Sequence, residues 1–250
     1  MNQNFKLYSQ YYDLLYKDKP YQAETDYLVA LIQYYHSTAK NILELGSGTG
    51  KHARLLAAKG FQIVGLERSP SMVEIANGTA NENVSFQVAD ISSFEINQSF
   101  DVALSLFHVI SYLTDNQSLI NTFNHTRQHL HKGGLFIFDV WHSPAVYAQK
   151  PEQRIKTLKS DDIEVVRRAS PVIYAEHNIV EVNYTIETRN LHSGESTIIE
   201  EKHPMRHFSK PEIELLAFAT GFEVLHSEEF LSKVPPSAKT WGVCYILRKK

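Results

Sequence analysis

The sequence predicts an α/β protein: a doubly wound parallel sheet, interrupted after its fifth strand by an antiparallel β insertion. Three observations carry this. Between residues 41 and 140, short apolar runs of strand length alternate with helix-periodic segments through short loops. That is the pattern of parallel strands covered by helices on both faces. Between about residues 156 and 208 the apolar period falls to two, with β-branched residues and one wet face, as in antiparallel hairpins. A glycine-rich turn over residues 46–50 follows the first strand, at the carboxyl end of the sheet where open α/β folds bind ligands.

Taken in order, the first twenty residues are rich in tyrosine (Tyr8, Tyr11, Tyr12, Tyr16) and end at Pro20. Over 21–36, Tyr21, Tyr27, Leu28, Leu31, Ile32 and Tyr35 recur at helical spacing. The run 41–45 stops at Gly46 and reads as a buried strand. Residues 49–59 read as a helix closed by Gly60, and 61–66 as the second strand. Ser69 as cap and Pro70 in the first turn begin a helix over 70–76. Strands follow at 84–88, 100–106 and 135–140, with a helix over about 117–130 ahead of Gly133-Gly134. In the insertion, 164–168, 179–187 and 196–201 alternate apolar and polar residues around a turn at His192-Ser193-Gly194. A helix over 211–220, stopped by Gly221, precedes two last strands at 222–228 and 241–247.

The expected units are therefore an N-terminal helical segment (1–40) and a core (41–150). The antiparallel insertion (151–208) follows, on the substrate side or at a homodimer seam, and then the closing helix and strands of the core (209–250).

Composition narrows the function. A chain of 250 residues buries roughly 70–75% of its unfolded surface and needs no covalent staples. A net charge of −3 offers no basic face for a phosphate-dominated grip on nucleic acid. Lone Cys244 leaves no internal disulfide and no multi-cysteine zinc site. The start, MNQNFKLYSQ, lacks the basic and apolar blocks of a secretory leader, and no window approaches 18 uninterrupted apolar residues. The chain reads as soluble and cytoplasmic, with a small-molecule partner rather than nucleic acid or membrane.

The most informative stretch is Glu44-Leu45-Gly46-Ser47-Gly48-Thr49-Gly50. Glycines at such a turn permit positive φ and close approach of a ligand to the backbone. Twenty-one residues after Gly46, at the end of the second strand, stands Glu67, whose two oxygens match the vicinal hydroxyls of a ribose. A dinucleotide loop (G-x-G-x-x-G) would need glycine at position 51, which is Lys51. Glu44, two residues before the first glycine, is a poor neighbour for a pyrophosphate and a good one for an ammonium and a sulfonium. Electrostatics therefore favours S-adenosylmethionine over NAD.

These residues resemble the first motif of class I S-adenosylmethionine-dependent methyltransferases. Gly65-Leu66-Glu67-Arg68-Ser69-Pro70-Ser71-Met72 resembles their second motif, and Ala89-Asp90-Ile91 the third, with Asp90 implied at the adenine amino group and the Ile91 amide at the ring. The segment from Phe100 to Phe107 resembles the fourth strand, and Gly133-Gly134-Leu135-Phe136-Ile137-Phe138 the turn and fifth strand. The resemblance implies a Rossmann-like seven-stranded sheet, a cofactor S-adenosyl-L-methionine leaving as S-adenosyl-L-homocysteine, and cofactor contacts at Tyr16, Glu44, Gly46, Ser47, Gly48, Gly50, Glu67, Arg68, Met72, Asp90, Ile91, Leu106 and Phe107. Within the class, the chain is similar to N-methyltransferases of nucleotide-linked amino sugars. That likeness rests on Tyr12-Asp13-Leu14-Leu15-Tyr16 with Tyr21 and Glu24, on 107–113, and on Val140-Trp141-His142-Ser143-Pro144 with the insertion behind it. It departs at Trp141-His142, where relatives often carry two tryptophans.

Methyl transfer is an in-line displacement that needs chiefly alignment and dryness. An amine acceptor must also lose a proton. His108, directly after the fourth strand, is the first candidate for base or substrate contact, against a loop histidine that merely caps backbone groups. Tyr16 and, behind it, His142 are the other catalytic candidates. Arg206 is expected to pair with a surface carboxylate. The pairs His125/His129 and His203/His207 have i, i+4 spacing but lack a catalytic glutamate or a continuous helix, so no metal is expected. Adenine N6 enzymes carry Asn or Asp before Pro-Pro where this chain has Phe107-His108-Val109, and Cys244 lies far from the fourth strand where a cytosine C5 nucleophile is needed. An O-methyltransferase, a non-catalytic S-adenosylmethionine-binding protein and a nicotinamide oxidoreductase stay open as alternatives.

Overall fold

The computed structural model describes residues 16–250; Tyr12, Asp13, Leu14 and Leu15, on which the family likeness partly rests, lie outside the described residues. The elements run α1 (Tyr21–Tyr35), β1 (Asn41–Leu45), α2 (Lys51–Ala58), β2 (Gln62–Glu67), α3 (Pro70–Asn77), β3 (Val84–Val88), β4 (Phe100–Ser105), α4 (Asn116–His129), β5 (Leu130–His142) and α5 (Ser143–Gln149). Then come β6 (Arg154–Lys159), β7 (Ile163–Tyr174), β8 (Ile179–Asn190), β9 (Ser196–Phe208), α6 (Lys210–Ala219), β10 (Phe222–Glu229) and β11 (Gly242–Lys249).

Strands β3-β2-β1-β4-β5 lie side by side and parallel; β11 adds antiparallel to β5, and β10 antiparallel to β11. This is the Rossmann-like sheet of seven strands that the sequence predicts. Strand order reverses between β1 and β4, so the loops after them diverge and leave the crevice such folds use for ligands. Alternation along each strand divides the core between the two faces. Leu135 and Ile137 of β5 join Leu28 and Ile32 of α1 and Leu56 of α2, while Phe136 and Phe138 face the other side. There Phe123 of α4 meets both rings edge-on, at 5.2 and 5.4 Å.

The insertion is an antiparallel meander, β6-β7-β8-β9, one strand more than expected. The extra strand reads Arg-Ile-Lys-Thr-Leu-Lys, whose charged residues mask its alternation. Helix α5 and a 3-10 turn at Val109–Tyr112 also go beyond the sequence reading. The end of β9 pairs parallel with the end of β5, Trp141 opposite His207 and His142 opposite Phe208. The meander buries Leu158, Val165, Ile186 and Ile199 against Met72 of α3 and Tyr16, so it folds over the carboxyl edge of the core. Among the described residues no helix is long and apolar enough to cross a membrane.

At the joint between the sheets two histidines are sealed in. His207 is fully buried, with Nδ1 2.8 Å from the Ser143 hydroxyl, and burial pushes its pKa down to about 4. Burial also lowers that of His142. The unfolded chain takes up these protons near pH 6.5 whereas the folded chain resists, so this stability is present above about pH 6.5 and is lost as pH falls towards 4. Thermal melting followed from about pH 7 to pH 4.5 should therefore show a falling midpoint, with a shallower fall in His207→Asn; an unchanged slope in the variant would contradict this assignment.

Candidate active site

Where β1 ends, Gly46, Gly48 and Gly50 all have left-handed φ (+73°, +56° and +77°). The Leu66 carbonyl accepts the Gly46 and Ser47 N–H groups at 2.8 and 2.9 Å, tying the loop to β2. A Cβ on Gly46 would stand 2.6 Å from Val109, and one on Gly50 2.4 Å from the Phe86 ring, whereas Gly48 has nothing within 4 Å. The outer glycines thus satisfy packing, and the middle one leaves room. Glu67 closes the far side: one oxygen accepts the Gly48 N–H at 3.1 Å and the other the Ser69 N–H at 2.8 Å. Both oxygens keep lone pairs for a diol.

Further along this edge Asp90 is exposed after β3, its Oδ1 accepting the Ser92 amide (2.8 Å) and hydroxyl (2.7 Å). The Ser92 hydroxyl chiefly, with its amide and the charge of Arg68, holds the Asp90 pKa down, so the group is ionised at neutral pH. Ile91 is half-buried against the aromatic face of the sheet, and Leu106 is buried below.

After β4 the chain makes two consecutive left-handed residues, Phe107 (φ +64°) and His108 (φ +62°). Such backbone costs about 1–3 kcal/mol per residue and persists only where its surroundings impose it. Here it sets the two side chains side by side, their ring centroids 6.1 Å apart. Tyr16 stands edge-on to Phe107 at 5.0 Å, and the Lys19 ammonium lies 4.7 Å from the Phe107 centroid and 4.6 Å from that of Tyr21. Lys19 also pairs with buried Glu24, which accepts from His52 Nε2 at 2.6 Å. Burial would raise the Glu24 pKa, but His52 and Lys19 outweigh it and hold it low.

Glu44 is in the opposite condition. Its Oε2 is buried without a hydrogen-bond partner, its Oε1 lies 3.9 Å from His52 Nδ1, and burial pushes its pKa up to about 8 in spite of Arg54 and Lys19. An arriving cation would repair that deficit. Asp139 of β5, also buried, places Oδ2 2.6 Å from His108 Nδ1, oblique to the ring's N–H axis, while Oδ1 accepts the His108 N–H at 3.2 Å. Burial pulls the Asp139 pKa up, and the His108 ring and amide more than offset it.

The meander forms the opposite wall. Arg167 donates to the Tyr16 hydroxyl at 3.1 Å and lies 5.1 Å from the Tyr184 centroid. The Tyr112 hydroxyl meets His203 Nδ1 at 2.8 Å, and His203 Nε2 meets Glu201 at 2.9 Å.

The structure thus brings His108 and Tyr16 together around Phe107. It sets His142 apart, buried against the backbone of Ser237 and Thr240. Arg206 pairs with Glu212 at 2.6 Å and donates to Asn116 at 2.8 Å. His129 uses both ring nitrogens, on the His125 carbonyl (2.7 Å) and the Ile96 amide (2.9 Å). Cys244 is buried in β11 opposite Asp139, and burial pushes its thiol pKa up. The sequence reading passed over Lys19, His52 and Asp139. Asp139 had a legible signal, a lone acid in the apolar run Phe136-Ile137-Phe138-Asp139-Val140. Lys19 and His52 had none.

A family model described as a methyltransferase domain matches residues 42–134, from β1 into the first part of β5. A candidate methyltransferase of Geobacillus sp. is 26% identical over 249 residues, 98% of this chain and 99% of its own. The dTDP-3-amino-3,6-dideoxy-alpha-D-glucopyranose N,N-dimethyltransferase of Streptomyces fradiae is 25% identical over 221 residues, 86% of this chain and 84% of its own. The crystal structure of an S-adenosylmethionine-dependent methyltransferase from Clostridium acetobutylicum matches the fold with a TM-score of 0.83 at 20% identity, covering 99% of both chains.

The glycine geometry yields a paired test. Gly48→Ala and Gly60→Ala both place a Cβ at left-handed φ (+56° and +96°) with nothing within 4 Å, so each should destabilise by about 1 kcal/mol. Only Gly48→Ala should weaken calorimetric binding of S-adenosylhomocysteine, by about tenfold or more, equivalent to ~1.4 kcal/mol. Equal affinities in the two variants would mean that position 48 does not face the ligand.

Proposed function

We propose that this chain, an S-adenosylmethionine-dependent methyltransferase, moves methyl groups onto the amine of a nucleotide-linked amino sugar. The observation that carries the proposal is the cluster after β4, where a half-buried imidazole, the Phe107 ring at left-handed φ and the Tyr16 ring stand against one another. The Streptomyces relative, named for an amino-sugar substrate, supports the same acceptor class.

The residues present fit the cofactor. Glu67 takes the ribose hydroxyls, Asp90 and the Ile91 amide the adenine, unpartnered Glu44 the amino group and Lys19 the carboxylate. Gly46, Ser47, Gly48 and Gly50 cradle the backbone side; Arg68, Met72, Leu106 and Phe107 shape the rest. When bound, S-adenosylmethionine supplies an electrophilic methyl group. The acceptor amine gives one proton to His108 Nε2, then its lone pair forms the new C–N bond as the C–S bond breaks and its electrons stay on sulfur. The His108 side chain keeps 24% exposure, enough to pass that proton to water. Tyr16 and the meander exclude water, and Arg167, Tyr184 and Tyr112 offer the stacking and polar groups that a sugar nucleotide needs.

Mass spectrometry of dTDP-linked amino sugars incubated with enzyme and S-adenosylmethionine should show addition of one methyl group, or of two. Methylation of a hydroxyl analogue and not of the amine would replace this reading with O-methylation. Glu67→Gln should raise KM for the cofactor about tenfold, the scale of one weakened charge-assisted hydrogen bond, with kcat little changed. Because Glu44 holds its proton up to about pH 8 and must release it to meet an ammonium, affinity for S-adenosylhomocysteine should rise from about pH 6 to pH 8 with proton release. Calorimetry in buffers of different ionisation enthalpy measures that proton, and Glu44→Gln should abolish it.

A further inference from the structure

We infer that Asp139 is a positioning residue for the acceptor's proton transfer: it holds the His108 turn in its left-handed shape and fixes the ring so that Nδ1 carries the proton and Nε2 presents a lone pair to the amine. The inference rests on the role proposed for His108 and goes beyond it.

The argument begins with cost. A carboxylate that is 2% exposed pays several kcal/mol for lost hydration unless a partner answers it. Among the described residues, the cationic or ionisable nitrogen that reaches Asp139 within 4 Å is His108 Nδ1, at 2.6 Å. A carboxylate oxygen this close opposes a lone pair on Nδ1 and favours a proton there, although the N–H axis meets the oxygen obliquely. Lys19 acts on Asp139 only from further away. The second carboxylate oxygen, which accepts the His108 backbone N–H at 3.2 Å, anchors the residue whose φ is +62°. One side chain therefore restrains both the backbone and the ring of the same histidine.

Its place in the sheet makes it rigid. Asp139 lies in β5 opposite Cys244, and its neighbour Phe138 pairs with Ser105 at the end of β4, three residues before His108. The ring is confined from the other side as well: a Cβ on Gly242 would come within 3.2 Å of His108 Cε1. Neutral imidazole free in water favours the proton on Nε2, the wrong arrangement for accepting one there. A carboxylate at Nδ1 reverses that preference, and the remaining nitrogen becomes the acceptor. When the amine gives up its proton, the imidazolium that forms still has its Nδ1–H on Asp139, so the charge is stabilised as it appears.

The test has two independent readouts. Long-range proton–nitrogen spectra of wild-type protein near pH 8.5, with His108 identified by its absence in His108→Gln, should show the neutral ring protonated on Nδ1. Asp139→Asn should move that proton to Nε2. It should lower kcat by about tenfold or more while leaving cofactor KM within about twofold. In the His108→Gln background the same change should cost nothing further. A wild-type ring protonated on Nε2 would overturn the inference, and that measurement needs no Asp139 variant to fold. Equal losses from Asp139→Asn with and without His108 would overturn it too, by showing that Asp139 acts elsewhere. If no amine is methylated by the wild type, the proposed acceptor fails, while the tautomer still decides what Asp139 does.

Discussion

A carboxylate removed from water needs a counter-charge, a proton or several hydrogen bonds, and at this site three such groups crowd the carboxyl ends of β1 and β5, on either side of β4, and the helix α1. Each is answered differently. Glu24 is neutralised by Lys19 and His52, Asp139 by His108, and Glu44 by keeping a proton to about pH 8. The segment before α1, the first turn of α2 and the left-handed turn after β4 are placed by these pairings as much as by the apolar core beneath. Of the three, Glu44 is the one answered by a proton and not by a cationic partner, and it is there that the proposed cofactor's ammonium would enter.

The strain in the turn follows from the same demand. Phe107 and His108 could relax to ordinary backbone only by withdrawing the imidazole from Asp139, which would leave that acid buried and unanswered. Val109, next in the chain, sits where a side chain on Gly46 would collide. The turn after β4 therefore leans on the glycine loop after β1.

Much of this was readable from the chain. The apolar run 41–45 matches β1 residue for residue because a central parallel strand buried on both faces has little freedom in composition, and 84–88 matches β3 through the alternation of an edge strand with one wet face. The glycine loop and Glu67 were legible because their conformations and hydrogen bonds are local. What escaped was non-local or polar. Strand β6 hides among lysines and an arginine because one side of the meander is wet. His52 reads as an ordinary helical residue until α1 brings Glu24 against it, 28 positions earlier in the chain. Lys19 resembles any surface lysine until Phe107 and Tyr21 enclose it. In the sequence His142 follows its predicted strand just as His108 does, yet β5 runs on through it and β9 arrives beside it and seals it in the joint.

Strand β5 is 13 residues long, more than twice the length of β1. Its first part belongs to the parallel core, and its last two residues carry the meander through a pair of backbone contacts to β9. Core and meander are thus joined along a single rigid rod, with side-chain contacts at Met72, Val146 and the Tyr112–His203 pair bracing the joint. Such a joint makes the meander a cassette: its far strands touch none of the parallel strands' backbone, so a change of sequence there would reshape the proposed acceptor side and leave the ladder of the core intact.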